Sequence, residues 1–303
     1  MSESVIIQNL SMNYPGVKAL DGISCTVNKG EIFGFIGPDG AGKTTLFRIL
    51  TSLLIPDEGT ATVDGDDVVK DYKSIRAKVG YMPGKFSLYQ DLSVEENLKF
   101  FAGVFNTTIA ENYHLIEGIY KQIEPFKHRL AGNLSGGMKQ KLALSCALIH
   151  KPVVLFLDEP TTGVDAVSRK EFWEMLHQLK STGLTIIVST PYMDEAALCD
   201  RVALLQNGKI LSIASPEEIV AEFPHKLYGI KSEKLYPLNE LFKLEKQVHS
   251  TYLFGDSIHL VLQQNASIDV LMEKIKAENF DDLEWEIISP DIEDCFMELM
   301  HKT

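Results

Sequence analysis

The sequence has no apolar run near the ~18–20 residues that a membrane-crossing helix needs. Its opening, Met1–Leu10, lacks the basic stretch and apolar core of a secretory leader. Neither a span nor a leader is expected. Cysteine is sparse and scattered, at Cys25, Cys146, Cys199 and Cys295. Without a CxxC pair, zinc or redox chemistry by these thiols is not expected, and they read as buried free thiols of a reducing compartment. Positive charge is also short: 29 Lys and Arg stand against 42 Asp and Glu, a net charge of −13. That disfavours general affinity for nucleic acid or anionic lipid, both of which need positive potential. It leaves room for one local phosphate site. No internal repeat, low-complexity tract or long heptad run is present.

At 303 residues, 45% hydrophobic and 23% charged, the chain can build one large globular domain or two smaller ones. Val5–Leu10 reads as a strand. Ile23, Cys25 and Val27 alternate with polar neighbours, as in a half-buried strand. The nearly all-apolar stretches Glu31–Ile36, Val153–Asp158 and Leu184–Ser189 read as buried central strands. Gly59–Gly65 is a small strand between turns. From about Phe86 to Pro152 the pattern turns helical, with a capping box at Ser93 and Glu96. A helix is expected around Lys170–Leu179, and a hairpin across Leu204–Leu211 with Asn207-Gly208 as its turn. Beyond Pro224 come strands at Lys226–Ser232, Val248–Phe254, Ser257–Gln263 and Leu283–Ser289. Helices are expected at Ile268–Glu278 and Asp291–Lys302. The reading is a domain over 1–224, with helical part about 86–152, and a small α+β domain over 225–303.

Three stretches carry chemistry. Gly37–Thr45 (GPDGAGKTT) fits G-x-x-x-x-G-K-[ST] between a buried strand and a helix. Glycines let successive backbone N–H groups curl round phosphates, and the helix N-terminus adds a positive dipole end. Lys43 supplies a point charge for the outer phosphates and Thr44 a hydroxyl for Mg2+. Val153–Pro160 (VVLFLDEP) ends in Asp158, placed to hold Mg2+ through water, and Glu159, placed to polarise an attacking water. Ser135-Gly136-Gly137, at a helix start, makes a second anion site. One compact nucleotide does not need both, so one chain's loop is expected to face another chain's serine-glycine element.

With these motifs in order, the chain resembles the ATP-binding cassette (ABC) family, specifically the nucleotide-binding subunit of a bacterial ABC-2-type exporter, over about Val5–Phe223. The resemblance implies an α/β fold: a P-loop NTPase cassette with a RecA-like core, an antiparallel β subdomain and a helical subdomain. A small, ferredoxin-like α+β domain would follow. It implies that Tyr14 stacks on adenine and that Gly37, Pro38, Asp39, Gly40, Ala41, Gly42, Lys43, Thr44 and Thr45 form the Walker A loop. Asp39 replaces the more usual asparagine. Leu134–Met138 is similar to the signature motif, whose Ser135, Gly136 and Gly137 contact ATP in trans. Asp158 and Glu159 match the Walker B aspartate and catalytic glutamate, and Gly163–Asp165 the D-loop. ATP and Mg2+ are the implied ligands. An integral membrane permease and a second cassette in a head-to-tail dimer are the implied partners. The implied place is the cytoplasm, on the inner face of the cell membrane.

Two positions depart from the family. Gly84, in Val79–Gly84, stands where a glutamine contacts Mg2+ and the attacking water. Pro191, in Ile186–Ala196 (IIVSTPYMDEA), stands where a histidine contacts the γ-phosphate. Proline has no donor there, although it suits a helix start with Thr190 as N-cap and Asp194-Glu195 in the first turn. Both losses fall in the half-site of this chain's own loop, while the signature motif is intact. The expectation is a weakened own site and pairing with a different cassette. A working site would need other groups, such as Tyr192. Two alternatives stand beside the transporter subunit: an ATP-binding regulatory subunit without turnover, and a soluble cassette protein acting on ribosomes or DNA. His225, His249 and His259 are scattered through the small domain and read as surface or packing residues, not metal ligands.

Overall fold

The computed structural model describes residues 2–278, 280 and 282–301. It divides into two compact units, Met1–Pro216 and Glu217–Thr303. The division precedes the compositional break at Pro224. Helix α7 (Pro216–Ala221) belongs mainly to the second unit, where the Cys295 thiol meets the Ile219 carbonyl at 3.5 Å.

The first unit is built on a six-stranded sheet with spatial order β10-β9-β3-β8-β7-β6. Its members are β3 (Ile32–Ile36), β6 (Val79–Met82), β7 (Val154–Asp158), β8 (Thr185–Thr190), β9 (Arg201–Gln206) and β10 (Lys209–Ala214). Every residue of β3, β7 and β8 is buried. Their continuous apolar runs are what strands covered on both faces require. Pairing is parallel from β9 through β6, and only the β9–β10 hairpin is antiparallel. Asn207 and Gly208 turn that hairpin with φ of 48° and 74°, the left-handed pair a tight turn demands.

A second, antiparallel sheet joins β1 (Glu3–Tyr14), β2 (Val17–Asn28), β4 (Glu58–Val63) and the short β5 (Asp66–Asp67). Helix α1 (Lys43–Leu50) lies between the sheets, and α2 (Tyr72–Lys78) leads into β6. Phe47 of α1 is fully buried and contacts Phe35 and Phe156 edge-to-face, with centroids 6.0 and 5.8 Å apart. It locks α1 to β3 and β7.

The helical part carries α3 (Val94–Val104), α4 (Ile109–Tyr120) and α5 (Gly136–Leu148), and α6 (Ala166–Ser181) then connects β7 to β8. Ser93 with Glu96, and Thr108 with Glu111, close reciprocal capping boxes. Fully buried Asn97 donates to the carbonyls of Tyr89, Leu92 and Ser93 and accepts from the Tyr89 N–H. It pins the segment between β6 and α3.

The second unit adds β11 (Leu227–Lys231), α8 (Leu235–Leu244), β12 (Val248–Phe254), β13 (Ser257–Leu262), α9 (Ile268–Lys276), β14 (Glu284–Ile288) and α10 (Ile292–His301). From β11 to β14 this is β-α-β-β-α-β, with spatial order β12-β13-β11-β14, all antiparallel, a split β-α-β unit. Ile230, Leu238, Phe242, Leu260 and Leu271 fill its core. The sequence reading of the last helix runs to Lys302, which lies outside the described residues. Helix α8 was not evident from the sequence, because Pro237 interrupts its apolar pattern. Pro237 falls in the first turn, where no intrahelical N–H bond is lost. The thiols of Cys25, Cys146, Cys199 and Cys295 are all free and buried. Burial pushes Cys25 and Cys295 up to about 12, so they are poor nucleophiles, as the sequence suggested.

Phe47→Ala is expected to destabilise the first unit by about 3–5 kcal/mol, read from chemical denaturation followed by a probe in that unit.

Candidate functional site

The site lies at the edge where the parallel strands end. The hydrogen-bond register sets Ile36 beside Thr190 and Asp158 beside Ser189. The loop leaving β3 begins with the Gly37 N–H donating to the Thr190 carbonyl at 3.2 Å. The chain then turns through Gly40 and Gly42, whose φ values are 81° and 104°. At Gly42 a Cβ would stand 2.3 Å from the Ala19 carbonyl oxygen, so only glycine fits. Pro38 is half-buried, Asp39 and Gly40 are exposed, and Ala41 is buried. The loop therefore offers its tip to solvent over a buried base.

Lys43 is 3% exposed and folds back across the loop. Its ammonium donates to the carbonyls of Gly37 at 2.8 Å and Pro38 at 3.1 Å, and lies 3.4 Å from Glu159 Oε1. Thr44 Oγ1 donates to Asp158 Oδ1 at 3.2 Å. A hydroxyl and a carboxylate thus face each other, an oxygen pair of the kind a hard cation uses. Thr45 is half-buried one residue on. Burial, with the Asp158 charge nearby, pushes Tyr81 up to about 12, so it is a neutral phenol at neutral pH.

Glu159 has φ of 50°, a left-handed conformation that costs a non-glycine residue about 1–3 kcal/mol. Ser189 holds it there. The Glu159 N–H donates to the Ser189 carbonyl at 2.9 Å and to Ser189 Oγ at 3.2 Å, while Ser189 Oγ donates to Asp158 Oδ1 at 2.6 Å. Ser189 is therefore a residue of this site that motif reading missed. Its only sequence signal is a hydroxyl at the end of the apolar run Ile186–Val188 in a buried strand.

Gly84 lies against Asp158 and Glu159, and Pro191 lies next to Thr190, whose carbonyl accepts from the Gly37 N–H. A Cβ at Gly84 would lie 3.1 Å from the Asp158 carbonyl oxygen and 3.7 Å from Glu159 Cβ. Pro191 follows the last residue of β8 directly. It does not start an α-helix. Thr190 stays paired with β3, and its hydroxyl accepts from the Tyr192 N–H at 3.1 Å. A 3-10 turn begins only at Met193, with Asp194 and Glu195 still in its first turn. Sheet pairing at Thr190 outcompetes the helix cap. The Tyr192 ring packs under the Arg169 guanidinium, 4.3 Å from the centroid, and Glu195 is buried against the Thr161 hydroxyl at 2.6 Å.

Ser135, Gly136 and Gly137 form a separate element. Ser135 caps α5 by accepting from the Met138 N–H at 3.4 Å. A Cβ on Gly137 would come 2.7 Å from Ser168 Oγ, so this glycine lets α5 approach α6. Asp165 caps α6 through the Ser168 N–H at 3.0 Å, which holds its carboxyl below the usual range. Ser135 and Gly136 are exposed. Ser135 bonds the first turn of α5, and a Cβ on Gly136 would lie 3.5 Å from the Gly163 carbonyl oxygen. Tyr14 ends β1 and is 39% exposed.

Ser189→Ala removes the clamp on Asp158 and Glu159 and leaves a buried carboxylate oxygen with one donor fewer. An unfolding free energy lower by about 1–3 kcal/mol is expected, measured by denaturant titration; Ser189→Thr is expected to keep most of it.

A family model described as ABC transporter matches residues 20–162. The chain is 39% identical to the probable multidrug ABC transporter ATP-binding protein YbhF of Escherichia coli, over 99% of this chain and 53% of that protein. It thus spans about half the length of that relative. It is also 39% identical to a Nod factor export ATP-binding protein I of a Rhizobium species, over 67% of this chain and 68% of that protein. A solved ATP-binding subunit of an ABC transporter superposes with a TM-score of 0.66 at 26% identity, covering 72% of this chain and 92% of that one. With the motif order and the sheet edge that gathers it, these likenesses lead to one conclusion: the chain belongs to the ABC transporter family, among its ATP-binding proteins.

Proposed function

We propose that the chain is the ATP-binding subunit of an export transporter, that its own site holds ATP but turns it over slowly, and that it completes the active site of a second, different cassette. One observation carries the asymmetry. Gly84, just beyond β6 and against Asp158 and Glu159, and Pro191, just beyond β8 and next to the Thr190 that anchors the Gly37 loop, both lack a polar side chain. The exposed Ser135 and Gly136 keep the form needed to meet a partner's nucleotide.

On this reading Tyr14 stacks on adenine, and the N–H groups from Pro38's successor to Thr45 cradle the phosphates. Lys43 exchanges its loop carbonyls for the outer phosphates. Thr44 and Asp158 would hold Mg2+, which offsets phosphate charge when bound. Glu159 accepts a proton from the attacking water. Asp165 meets the partner at the dimer seam. Neither Gly84 nor Pro191 can supply a side-chain hydrogen bond to the γ-phosphate. Losing one such donor costs ~10²–10³-fold in rate, and two losses need not add.

The exporter reading draws support from the two relatives, one named a probable multidrug transporter protein and the other a Nod factor export protein. Among the described residues no helix is long and apolar enough to cross a membrane. The proposed partner is an integral membrane permease. Its docking place is proposed at the cleft lined by Gly84, Phe86, Leu88, Phe101 and Phe105, next to α3. The subunit would then sit in the cytoplasm against the inner face of the membrane. Nucleic acid is not a proposed partner.

The purified chain is expected to bind ATP with Mg2+ and to hydrolyse it far below the ~10 s⁻¹ typical of enzymes. Pro191→His is expected to raise turnover by up to ~10²-fold. It is a cleaner test than Gly84→Gln, whose Cβ meets backbone at 3.1 Å. Ordinary turnover by the unmodified chain, unchanged by Pro191→His, would sink the weakened-site reading. Purification from the native cell is expected to bring a permease and a second cassette; a permease-bound homodimer would overturn the heteromer.

A further inference from the structure

The second unit brings together three side chains that the sequence keeps far apart. His225 lies just before β11, His249 is the second residue of β12, and Glu298 lies on α10. His225 Nε2 stands 3.2 Å from Glu298 Oε1, and His249 Nε2 stands 3.2 Å from Glu298 Oε2. One ligand atom from each residue falls within 4.8 Å of the others. Glu298 is 5% exposed, while the two imidazoles are 31% and 30% exposed. Scattered in the sequence, His225 and His249 stand together in the structure. His259 does not join them; its Nδ1 pairs with Asp294 Oδ1 at 2.7 Å.

We propose that His225, His249 and Glu298 form a binding site for a divalent transition-metal cation, with Zn2+ the best match. Two imidazoles and one carboxylate are a mixed nitrogen and oxygen donor set that suits Zn2+ and its neighbours, whereas Mg2+ and Ca2+ favour oxygen alone. Metal–ligand bonds of ~2.0–2.2 Å in a tetrahedron put ligand atoms roughly 3.3–3.5 Å apart. The two 3.2 Å contacts are to different oxygens of Glu298, so with one oxygen as ligand one histidine–glutamate pair is already near that edge. The remaining gaps, none wider than 4.8 Å, have to close by up to about 1–1.5 Å, which rotation of the part-exposed imidazoles provides.

The nearly buried Glu298 carboxylate faces both candidate nitrogen donors, one at each oxygen. Entry is open, because His225 and His249 line a cleft with Tyr228 and Gln263. His301 sits three residues beyond Glu298 and so on the same helical face, its ring 6.2 Å from that of His249 and its Nε2 paired with the Tyr252 hydroxyl. It is the next nitrogen donor for a fourth position that water otherwise fills. The bound cation would staple the approach to β11, the strand β12 and the last helix.

The test uses the full chain after chelator treatment, titrated with Zn2+ against a chromophoric chelator, with Mg2+ and Ca2+ as controls. One Zn2+ per chain at micromolar affinity or tighter, without comparable Mg2+ or Ca2+ binding, is expected. His225→Gln and His249→Gln together are expected to weaken it by more than the roughly 10–100-fold that loss of an outer-shell partner costs. Glu298→Gln is expected to do the same. Because Glu298 is buried, His225→Gln alone serves as the variant least able to disturb the fold, with unchanged ATP binding and circular dichroism as controls. X-ray absorption of the zinc-loaded chain is expected to report nitrogen and oxygen ligands with imidazole scattering. Binding weaker than micromolar, binding untouched by the double variant, or sulfur in the zinc shell would each overturn the proposal and leave Glu298 as a hydrogen-bonded carboxylate between two histidines.

Discussion

The parallel pairing of β8 with both β3 and β7 sets Thr190 beside Ile36 and Ser189 beside Asp158. Each group at the nucleotide edge inherits its place from that register. The loop of Lys43 starts from the Thr190 carbonyl, and Glu159 is held in its left-handed conformation by Ser189. A slip of one residue would send these side chains to opposite faces of the sheet. The register is in turn secured by burial, since β3, β7 and β8 expose no residue and Phe47 wedges α1 against two of them.

That rigid edge explains why the two departures from the family are compatible with the fold. Gly84 needs nothing from a side chain to sit against the Asp158 carbonyl, and adding one would crowd the strand end. Pro191 lies beyond the last sheet bond of β8, so its missing N–H breaks no ladder. Neither residue is at odds with the structure around it. On the proposed reading this is how one half-site weakens while the exposed serine-glycine element, braced by α5 against Ser168, keeps its form.

Much of the site was legible because its signals are local. The glycine loop, its lysine and the flanking strand and helix are contiguous. So are the apolar runs of β3, β7 and β8 and the capping box at Ser93 and Glu96. Other features were hidden for definite reasons. Ser189 acts on Asp158 across 31 residues of sequence. The helix read at Pro191 moved to a 3-10 turn at Met193, since the sheet bonds of Thr190 prevail over its propensity as a cap. Helix α8 was masked by Pro237, which is harmless only in a first turn.

The sequence by itself determined the phosphate loop, the acidic strand end, the helix-start serine and the alternation of buried strands with helices. Short-range backbone geometry and hydrophobic periodicity specify these without knowledge of the fold. Only the tertiary structure decided which polar groups meet. Ser189 clamps two consecutive acidic residues, Gly137 clears a path for Ser168, and Glu298 draws in histidines from 49 and 73 residues away. Such encounters depend on sheet register and helix packing, which are set by the whole core, so no single window of the chain contains them.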